Sequence, residues 1–159
     1  MNGTRVLVAD DDPSIRQLVC TIVRHERLDI DCVSDGVEAI EKLREHEYAV
    51  VMLDLMMPRI DGFGVIDWMK KHPARIKPVV LVITAYADQK FKQVDPMMVA
   101  GVLRKPFEVA ELGNLVRLCV TGFDADATQR LYTPADKTIR DLAEQNVPVV
   151  DRGNAQAEN

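Results

Sequence analysis

Residues 48–58 read YAVVMLDLMMP, and this stretch determines the predicted fold. Residues 49–53 form an apolar run of strand length, which ends abruptly at Asp54. A continuous apolar run is typical of a strand covered on both faces, as in a parallel sheet with helices above and below. Its last residue then presents a carboxylate at the carboxyl edge of the sheet, where open α/β sheets bind ligands. Asp54 is therefore the first candidate for chemistry.

The rest of the chain alternates between short apolar strands and segments with helical spacing. The other predicted strands are residues 5–9, 28–33, 78–83 and 101–104, and the predicted helices are residues 13–26, 37–43, 63–71 and 108–120. After the fourth strand, Asp95-Pro96 interrupts a helix that is expected to be short or broken. This alternation predicts a five-stranded parallel sheet with helices on both faces.

Composition excludes several classes of function. Hydrophobic residues make up 47% and charged residues 28% of the 159 residues, and the net charge is −5. The chain as a whole thus lacks the basic footprint of a nucleic-acid-binding protein, and no direct nucleic-acid contact is expected. The N-terminus reaches acidic residues after only four apolar ones, too few for a signal-peptide core, and no later run approaches the length of a membrane span, so a cytoplasmic location without membrane contact is expected.

The cysteines and histidines do not indicate a metal or redox site. The three cysteines are widely spaced in apolar surroundings and are predicted to be free core thiols; they are Cys20, Cys32 and Cys119. The three histidines fall near predicted helix ends, where a solvated or helix-terminal role is expected; they are His25, His46 and His72.

Polar residues that end the predicted strands form a set. Strand one ends at Asp10 and Asp11, strand three at Asp54, strand four at Thr84 and strand five at Lys105. Because the strands are parallel, all five side chains are expected to converge on one edge. The remaining aspartates have simpler interpretations: Asp12, followed by Pro13, fits a helix N-cap, whereas Asp35 and Asp61 are interpreted as turn residues.

Three neighbouring carboxylates repel one another, and a divalent cation resolves that conflict. Oxygen-only ligands without clustered histidine or cysteine point to Mg²⁺, or alternatively Mn²⁺. A lysine and a hydroxyl group that face the same point supply donors for an oxyanion. Together these groups describe a phosphoryl-transfer site in which an aspartate acts as the nucleophile.

The motifs VADDD, DLMMPRIDGF, VITA and LRKPF, in this order, resemble the receiver domain of two-component response regulators. The resemblance covers about residues 4–120 and implies a flavodoxin-like, doubly wound α/β fold. It divides the chain into a receiver domain, residues 4–122, and an extension, residues 123–159, which is expected to be partly helical and then disordered.

The resemblance also implies a role for each matching residue. Asp54 would be the phosphoacceptor, Asp11 a direct Mg²⁺ ligand and Asp10 a ligand that acts mainly through water. Met56 would contribute its backbone carbonyl to the metal.

On the opposite side of the expected site, Thr84 would hydrogen-bond the phosphoryl group and Lys105 would pair with it. Receivers generally have a cis peptide bond at the position of Lys105–Pro106, and such a bond costs little before proline.

The implied function is that of a response regulator rather than an ordinary enzyme. A sensor histidine kinase or a histidine phosphotransfer protein would donate a phosphoryl group to Asp54, and the loop after strand four would rearrange as a switch. The catalysis would be limited to phosphoryl acceptance by the protein itself and slow hydrolysis of the acyl phosphate. The output would be altered binding of a downstream protein partner, with a homodimer as a further option.

Two departures from the family pattern, and two residues that control access to the site, stand out. Val102 occupies the position where many receivers have an aromatic switch residue, so the signal would travel through backbone and loop movement. Tyr86 and Met56 are expected to flank the acyl phosphate and to slow its hydrolysis. Met97 and Met98, beside the broken helix, would form an adaptable apolar surface for a partner.

Alternatives remain open for the extension and for the function. Residues 134–144 have a helix start signal at Thr133-Pro134, but the extension is too short and too acidic for a helix-turn-helix output domain. Docking on the domain, dimerisation and a linker role are all open. The rival functions are a receiver-like module that is never phosphorylated and a Mg²⁺-dependent phosphatase of the haloacid-dehalogenase type. Met56 stands where that second family has a carboxylate.

Overall fold

Five parallel strands form a single sheet in this computed structural model, which describes residues 4–85 and 91–121, with only the backbone of Phe91 and Thr121. The strands are β1 (Arg5–Ala9), β2 (Asp29–Val33), β3 (Val50–Leu53), β4 (Val79–Thr84) and β5 (Gly101–Arg104). The helices are α1 (Pro13–His25), α2 (Gly36–Glu45), α3 (Gly62–Lys71) and α4 (Val109–Thr121). The predicted α/β fold is confirmed, with element ends within one or two residues of the prediction where the prediction gave them.

The order of strands in the sheet is β2-β1-β3-β4-β5, so the chain changes direction across the sheet between β1 and β3. In the β1–β3 pair, Ala9 lies opposite Leu53. The residues that follow, Asp10 and Asp54, therefore leave the sheet side by side at its carboxyl edge. This switch point is where doubly wound sheets bind ligands.

Both faces of the sheet are covered, which accounts for the apolar composition of β3. Leu7, Val51 and Leu53 face a core beneath α2 and α3. Val8 and Met52 face a second core beneath α1 and α4. Alternate residues of one strand thus enter different cores, and each fully buried side chain contributes about 1.5–3 kcal/mol.

Local signals fix the beginning of α1. The Asp12 side chain accepts hydrogen bonds from the backbone N–H groups of Ser14 and Ile15, at 2.8 and 3.4 Å, and Pro13 occupies the first turn. The predicted N-cap is confirmed. Between β4 and β5, residues 91–93 form one 3₁₀ turn, while the rest of the predicted short helix includes residues outside the described ranges.

The cysteine prediction is wrong for one pair. A disulfide joins Cys20 of α1 to Cys32 of β2, whereas Cys119 is free and buried. The two cysteines meet because α1 packs on β2, and this tertiary contact leaves no signal in their sequence spacing. Burial raises the pKa of the Cys119 thiol to about 12, which makes that thiol a poor nucleophile.

None of the described helices could cross a membrane, since the longest, α1 and α4, have 13 residues each. A membrane-spanning helix needs about 20 predominantly apolar residues. The predicted extension, residues 123–159, lies outside the described residues, and so does the predicted domain boundary at residue 122.

Candidate functional site

Three carboxylates cluster at the carboxyl edge of the sheet. Asp10 and Asp11 follow β1, Asp54 follows β3, and one oxygen of each lies within 4.8 Å of the others. Asp10 is 2% exposed and Asp54 is 5% exposed, while Asp11 faces solvent. Two like charges at such depth need a compensating cation.

Lys105 provides one such cation. Its Nζ lies 2.8 Å from Oδ2 of Asp54 and 2.7 Å from Oδ2 of Asp10. The backbone N–H of Lys105 donates to the carbonyl of Thr84 at 3.0 Å, which aligns the ends of β4 and β5. The Lys105–Pro106 peptide bond is cis, as the resemblance implied.

The pKa values reflect a balance of burial and charge. Burial raises the pKa of Asp10 above its usual range, although hydrogen bonds from Lys105 and the Asp12 N–H oppose this effect. For Lys105, burial acts to lower the pKa, but its hydrogen bonds to Asp10 and Asp54 and their charges outweigh burial and raise it. Lys105 therefore stays protonated at neutral pH.

Backbone donors orient the two buried carboxylates. The N–H of Met56 donates to Oδ1 of Asp54 at 3.0 Å, and the N–H of Asp12 donates to Oδ1 of Asp10 at 2.9 Å. The guanidinium of Arg16 donates to the backbone carbonyl of Asp10 at 2.7 Å. Each carboxylate thus has one oxygen tied to the backbone and turns the other toward Lys105.

The donor set suits a hard divalent cation. Oδ2 of Asp10 is buried, and its only charged contact with the described residues is the Lys105 ammonium at 2.7 Å, so this oxygen has room for a further cationic partner. All three neighbouring carboxylates offer oxygen, the ligand atom that Mg²⁺ prefers. The residues present therefore fit the metal that the sequence predicts.

The other predicted site residues occupy different settings. Thr84, at the end of β4, is fully buried, and Met56 is 38% exposed beside Asp54. Val102 is buried in β5 opposite Val82, in the apolar core beneath α2 and α3. Tyr86 lies outside the described residues.

Sequence reasoning missed one ion pair beside the site, between the buried carboxylate of Asp35 and the exposed guanidinium of Arg59. Asp35, 5% exposed, was interpreted as a turn residue, but its Oδ1 caps α2 by accepting from the N–H groups of Val37 and Glu38. Its Oδ2 accepts from the guanidinium of Arg59, in the loop that follows β3. Arg59 has a positive φ of 63°, a conformation uncommon outside glycine.

A second contact joins the same two segments. The N–H of Gly36 donates to the carbonyl of Ile60 at 3.0 Å, which fastens the loop after Asp54 to the start of α2. The Asp35-Gly36 turn was visible in the sequence, but nothing near Arg59 indicated its partner. Asp61, the other supposed turn residue, caps α3 by accepting from the N–H of Gly64 at 2.9 Å.

Replacing Asp35 by alanine is expected to lower the free energy of unfolding by about 1–2 kcal/mol, because a helix N-cap is lost together with the partner of Arg59. Burial alone would raise the pKa of Asp35, but amide hydrogen bonds and Arg59 outweigh it and lower the pKa. The carboxylate therefore stabilises the fold above its unfolded pKa of about 3.9, and this contribution is lost as the pH falls through the lower folded pKa.

Urea unfolding of both proteins at pH 7 and pH 3 measures this effect. The difference in free energy of unfolding between wild type and Asp35→Ala should be smaller at pH 3 than at pH 7. Asp61→Ala is the matched control, since it removes an exposed cap that has no ion pair with the described residues. An Asp35 effect no larger than that of Asp61 would contradict the structural role given to the pair with Arg59.

Comparison with known proteins agrees with this fold and with this cluster of acids. Residues 6–117 match the family described as the response regulator receiver domain. The transcriptional regulatory protein GltR of Pseudomonas aeruginosa is 31% identical over 112 residues, which are 70% of this chain and 46% of GltR. Protein PilG of the same organism is 27% identical over 124 residues, which are 77% of this chain and 91% of PilG.

Among solved structures, the response regulator TrrA from Thermotoga maritima, in complex with Mg²⁺–BeF, has 29% identity and a TM-score of 0.64. The match covers 73% of this chain and 98% of TrrA. The chain thus spans less than half of GltR but nearly all of PilG and TrrA. The matched segment includes the carboxylates at the ends of β1 and β3 as well as Thr84 and Lys105. This chain belongs to the response regulator receiver domain family.

Proposed function

We propose that this protein accepts a phosphoryl group on Asp54 and thereby switches its contacts with other proteins. The observation that carries the proposal is the position of the Lys105 ammonium, within 2.8 Å of Asp54 and 2.7 Å of Asp10. A buried carboxylate at a strand end, beside a second acid and a fixed cation, has the geometry of an acyl-phosphate site. The donor would be a sensor histidine kinase or a histidine phosphotransfer protein.

The chemistry at Asp54 is an in-line displacement. A carboxylate oxygen of Asp54 attacks the phosphorus of a phosphohistidine, the new P–O bond forms as the P–N bond breaks, and the imidazole leaves. Lys105 then exchanges its contact with the Asp54 carboxylate for one with the phosphoryl oxygens. The hydroxyl of Thr84, at the adjacent strand end, serves as a further donor to those oxygens.

Asp10, Asp11 and Asp54, with the backbone carbonyl of Met56, are the residues that would hold Mg²⁺, or Mn²⁺ in its place. When bound, the metal neutralises charge on the transferred group. The chain's own contribution is to orient the acids: backbone N–H groups fix Asp54 and Asp10, and Arg16 holds the carbonyl that follows β1.

The consequence of phosphorylation would be a changed protein surface. Thr84 moves toward the dianionic group, and the loop after β4 moves with it. Because Val102 is an aliphatic residue buried in the core, no aromatic ring rotation accompanies that step. The downstream partner would be a protein in the cytoplasm, with a second copy of the chain as an option, and no direct contact with nucleic acid or membrane is proposed.

The proposal predicts that phosphorylation of the protein requires both Mg²⁺ and Asp54. Incubation with acetyl phosphate and Mg²⁺ should add the mass of one phosphoryl group to the intact protein. Asp54→Asn should remain unmodified, because its amide is a much poorer nucleophile. Removing the donor then gives the decay rate, which we expect to be slow because the exposed Met56 lies beside Asp54 and Tyr86 follows Thr84 by two residues in the sequence.

Glu38→Gln is the matched control, since it alters another acid near the same edge without touching Asp54. Addition of the same mass to Asp54→Asn would place the modification elsewhere and contradict the assignment. Absence of an adduct from every protein, with the phosphotransfer donor as well as acetyl phosphate, would favour the phosphorylation-independent module.

Membership of the receiver family removes the support for the haloacid-dehalogenase alternative.

A further inference from the structure

A groove with a volume of about 310 Å³ opens at the amino edge of the sheet, at the opposite end from Asp54. It lies between the last turns of α2 and α3, the start of β3 and the loop that leads into β4. Tyr48, Met69 and Val80 form its buried apolar floor, while Trp68 lines its wall and is only partly buried. The proposed phosphoryl chemistry uses none of these residues.

The apolar surface continues onto the rim of the groove. Nζ of Lys77 donates to the carbonyl of Met97 at 3.0 Å, which brings the loop before β4 against the segment before β5. Beside this contact, Ile76 is 54% exposed and Met97 is 75% exposed. Exposed large apolar side chains next to an apolar groove favour burial by another segment or protein.

Two cations lie at the groove, Lys77 in its lining and Arg44 over the Trp68 ring, while the acid that lines it, Glu47, is paired with Arg75 at 3.6 Å. The guanidinium of Arg44 lies 5.7 Å from the centre of the Trp68 ring, and the His72 ring stacks on Trp68 at 4.4 Å. Neither Arg44 nor Lys77 forms a contact ion pair with a carboxylate of the described residues; the charge of Lys77 helps to lower the pKa of Asp95, whose carboxylate Lys70 already pairs with at 2.6 Å. The groove therefore suits an occupant that combines apolar and acidic side chains.

The end of α4, from which the extension continues, lies at the amino edge of the sheet, the same edge as the groove. Arg117, in the last turns of α4, pairs with Glu26 at the end of α1, at 3.0 Å. The helices run antiparallel to the strands they connect, so their carboxyl ends lie at the amino edge of the sheet, where the groove is. Residues 122–133 could reach about 40 Å when extended, and the distance from one helix layer to the other is about 20 Å.

We propose that residues 134–144 of this chain, PADKTIRDLAE, bind the groove as an amphipathic helix. Ala135, Ile139 and Leu142 recur at the spacing of one helix face, which fits the insertion of a helix into an apolar groove. Asp136, Asp141 and Glu144 outnumber the two basic residues of the segment, which complements the unpaired cations. Docked there, the extension shields Trp68 and leaves the edge at Asp54 open.

Trp68 reports on the groove directly, because it is the single tryptophan of the chain. In the full-length protein, Ile139→Glu combined with Leu142→Glu should release the segment. The emission of Trp68 should then shift to longer wavelength, and its quenching by acrylamide should increase. The backbone amide NMR signals of residues 43–48 and 68–78 should shift, whereas those of residues 10 and 54 should not.

Val149→Glu combined with Val150→Glu is the matched control, since it places the same charges on another apolar pair of the extension. It should leave Trp68 unchanged. Lys77→Glu, which alters the groove itself, should shift the amide signals of residues 134–144. Unchanged Trp68 in the first variant, or an equal change in the control, would overturn the proposal. A dependence of the wild-type signals on protein concentration would instead identify a second copy as the occupant.

Discussion

Replacement of Lys105 by alanine is expected to lower the free energy of unfolding by about 3–5 kcal/mol, the cost of leaving buried charges uncompensated. The ammonium contacts the carboxylates of Asp54 and Asp10, which are 6% and 3% exposed as side chains. Without it, two like charges face each other at a depth where water screens them poorly. The same change should slow phosphoryl acceptance about 10²–10³-fold, as the loss of one donor to a developing charge does elsewhere.

Urea unfolding in the absence of divalent metal measures the first effect. Lys71→Ala is the matched control: Lys71 is a surface lysine whose side chain is 68% exposed and which pairs with Asp67, so its removal should change stability little. Lys105→Ala combined with Asp10→Asn should recover part of the loss, because one of the two unpaired charges is then gone. A Lys105→Ala protein as stable as wild type would mean that water already reaches these carboxylates.

Mg²⁺ provides an independent test of the same electrostatics. A ligand that binds only the folded protein stabilises it according to its affinity. The carboxylates of Lys105→Ala lack their internal cation, so added Mg²⁺ should stabilise this variant more than wild type. Equal stabilisation of the two proteins by Mg²⁺ would show that Lys105 and the metal do not neutralise the same carboxylates, Asp10 and Asp54.

The sequence was most informative about the site at the end of β3. A run of apolar residues followed by Asp54 has few interpretations, and parallel strands bring their ends to one edge regardless of the loops between them. The positions of Asp10 and Lys105 beside Asp54 could therefore be predicted. Their proximity follows from topology, which the alternation of strands and helices already specifies.

Contacts that depend on the path of a loop could not be predicted in this way. Arg59 reaches Asp35 from a loop position with a positive φ, and no local sequence pattern indicates that conformation at a residue other than glycine. Cys20 and Cys32 meet through the packing of α1 on β2. In both cases the partners lie on different elements, and their contact depends on tertiary geometry finer than strand order.

Gly62→Ala is expected to destabilise the protein by about 1–3 kcal/mol, or somewhat more, because it overpacks a site with no room for a methyl group. A Cβ at this position would lie 2.3 Å from the carbonyl oxygen of Asp54 and 2.7 Å from Cα of Leu55. Both atoms belong to the backbone, so neither can move aside as a flexible side chain would. The N–H of Gly62 also donates to the carbonyl of Leu55 at 3.0 Å, which holds the start of α3 against this turn.

Gly113→Ala is the matched control, since a Cβ there would meet only side-chain atoms at 3.9 Å. In the interior of α4 this change should raise stability by up to about 1 kcal/mol. The two substitutions add the same methyl group and should act with opposite sign in urea unfolding. The clash at Gly62 is with the backbone of Asp54. The Gly62→Ala variant should therefore accept phosphoryl groups more slowly than its unfolded fraction alone would explain. Normal acceptance by the folded fraction would show that the turn after β3 tolerates displacement without moving the carboxylate.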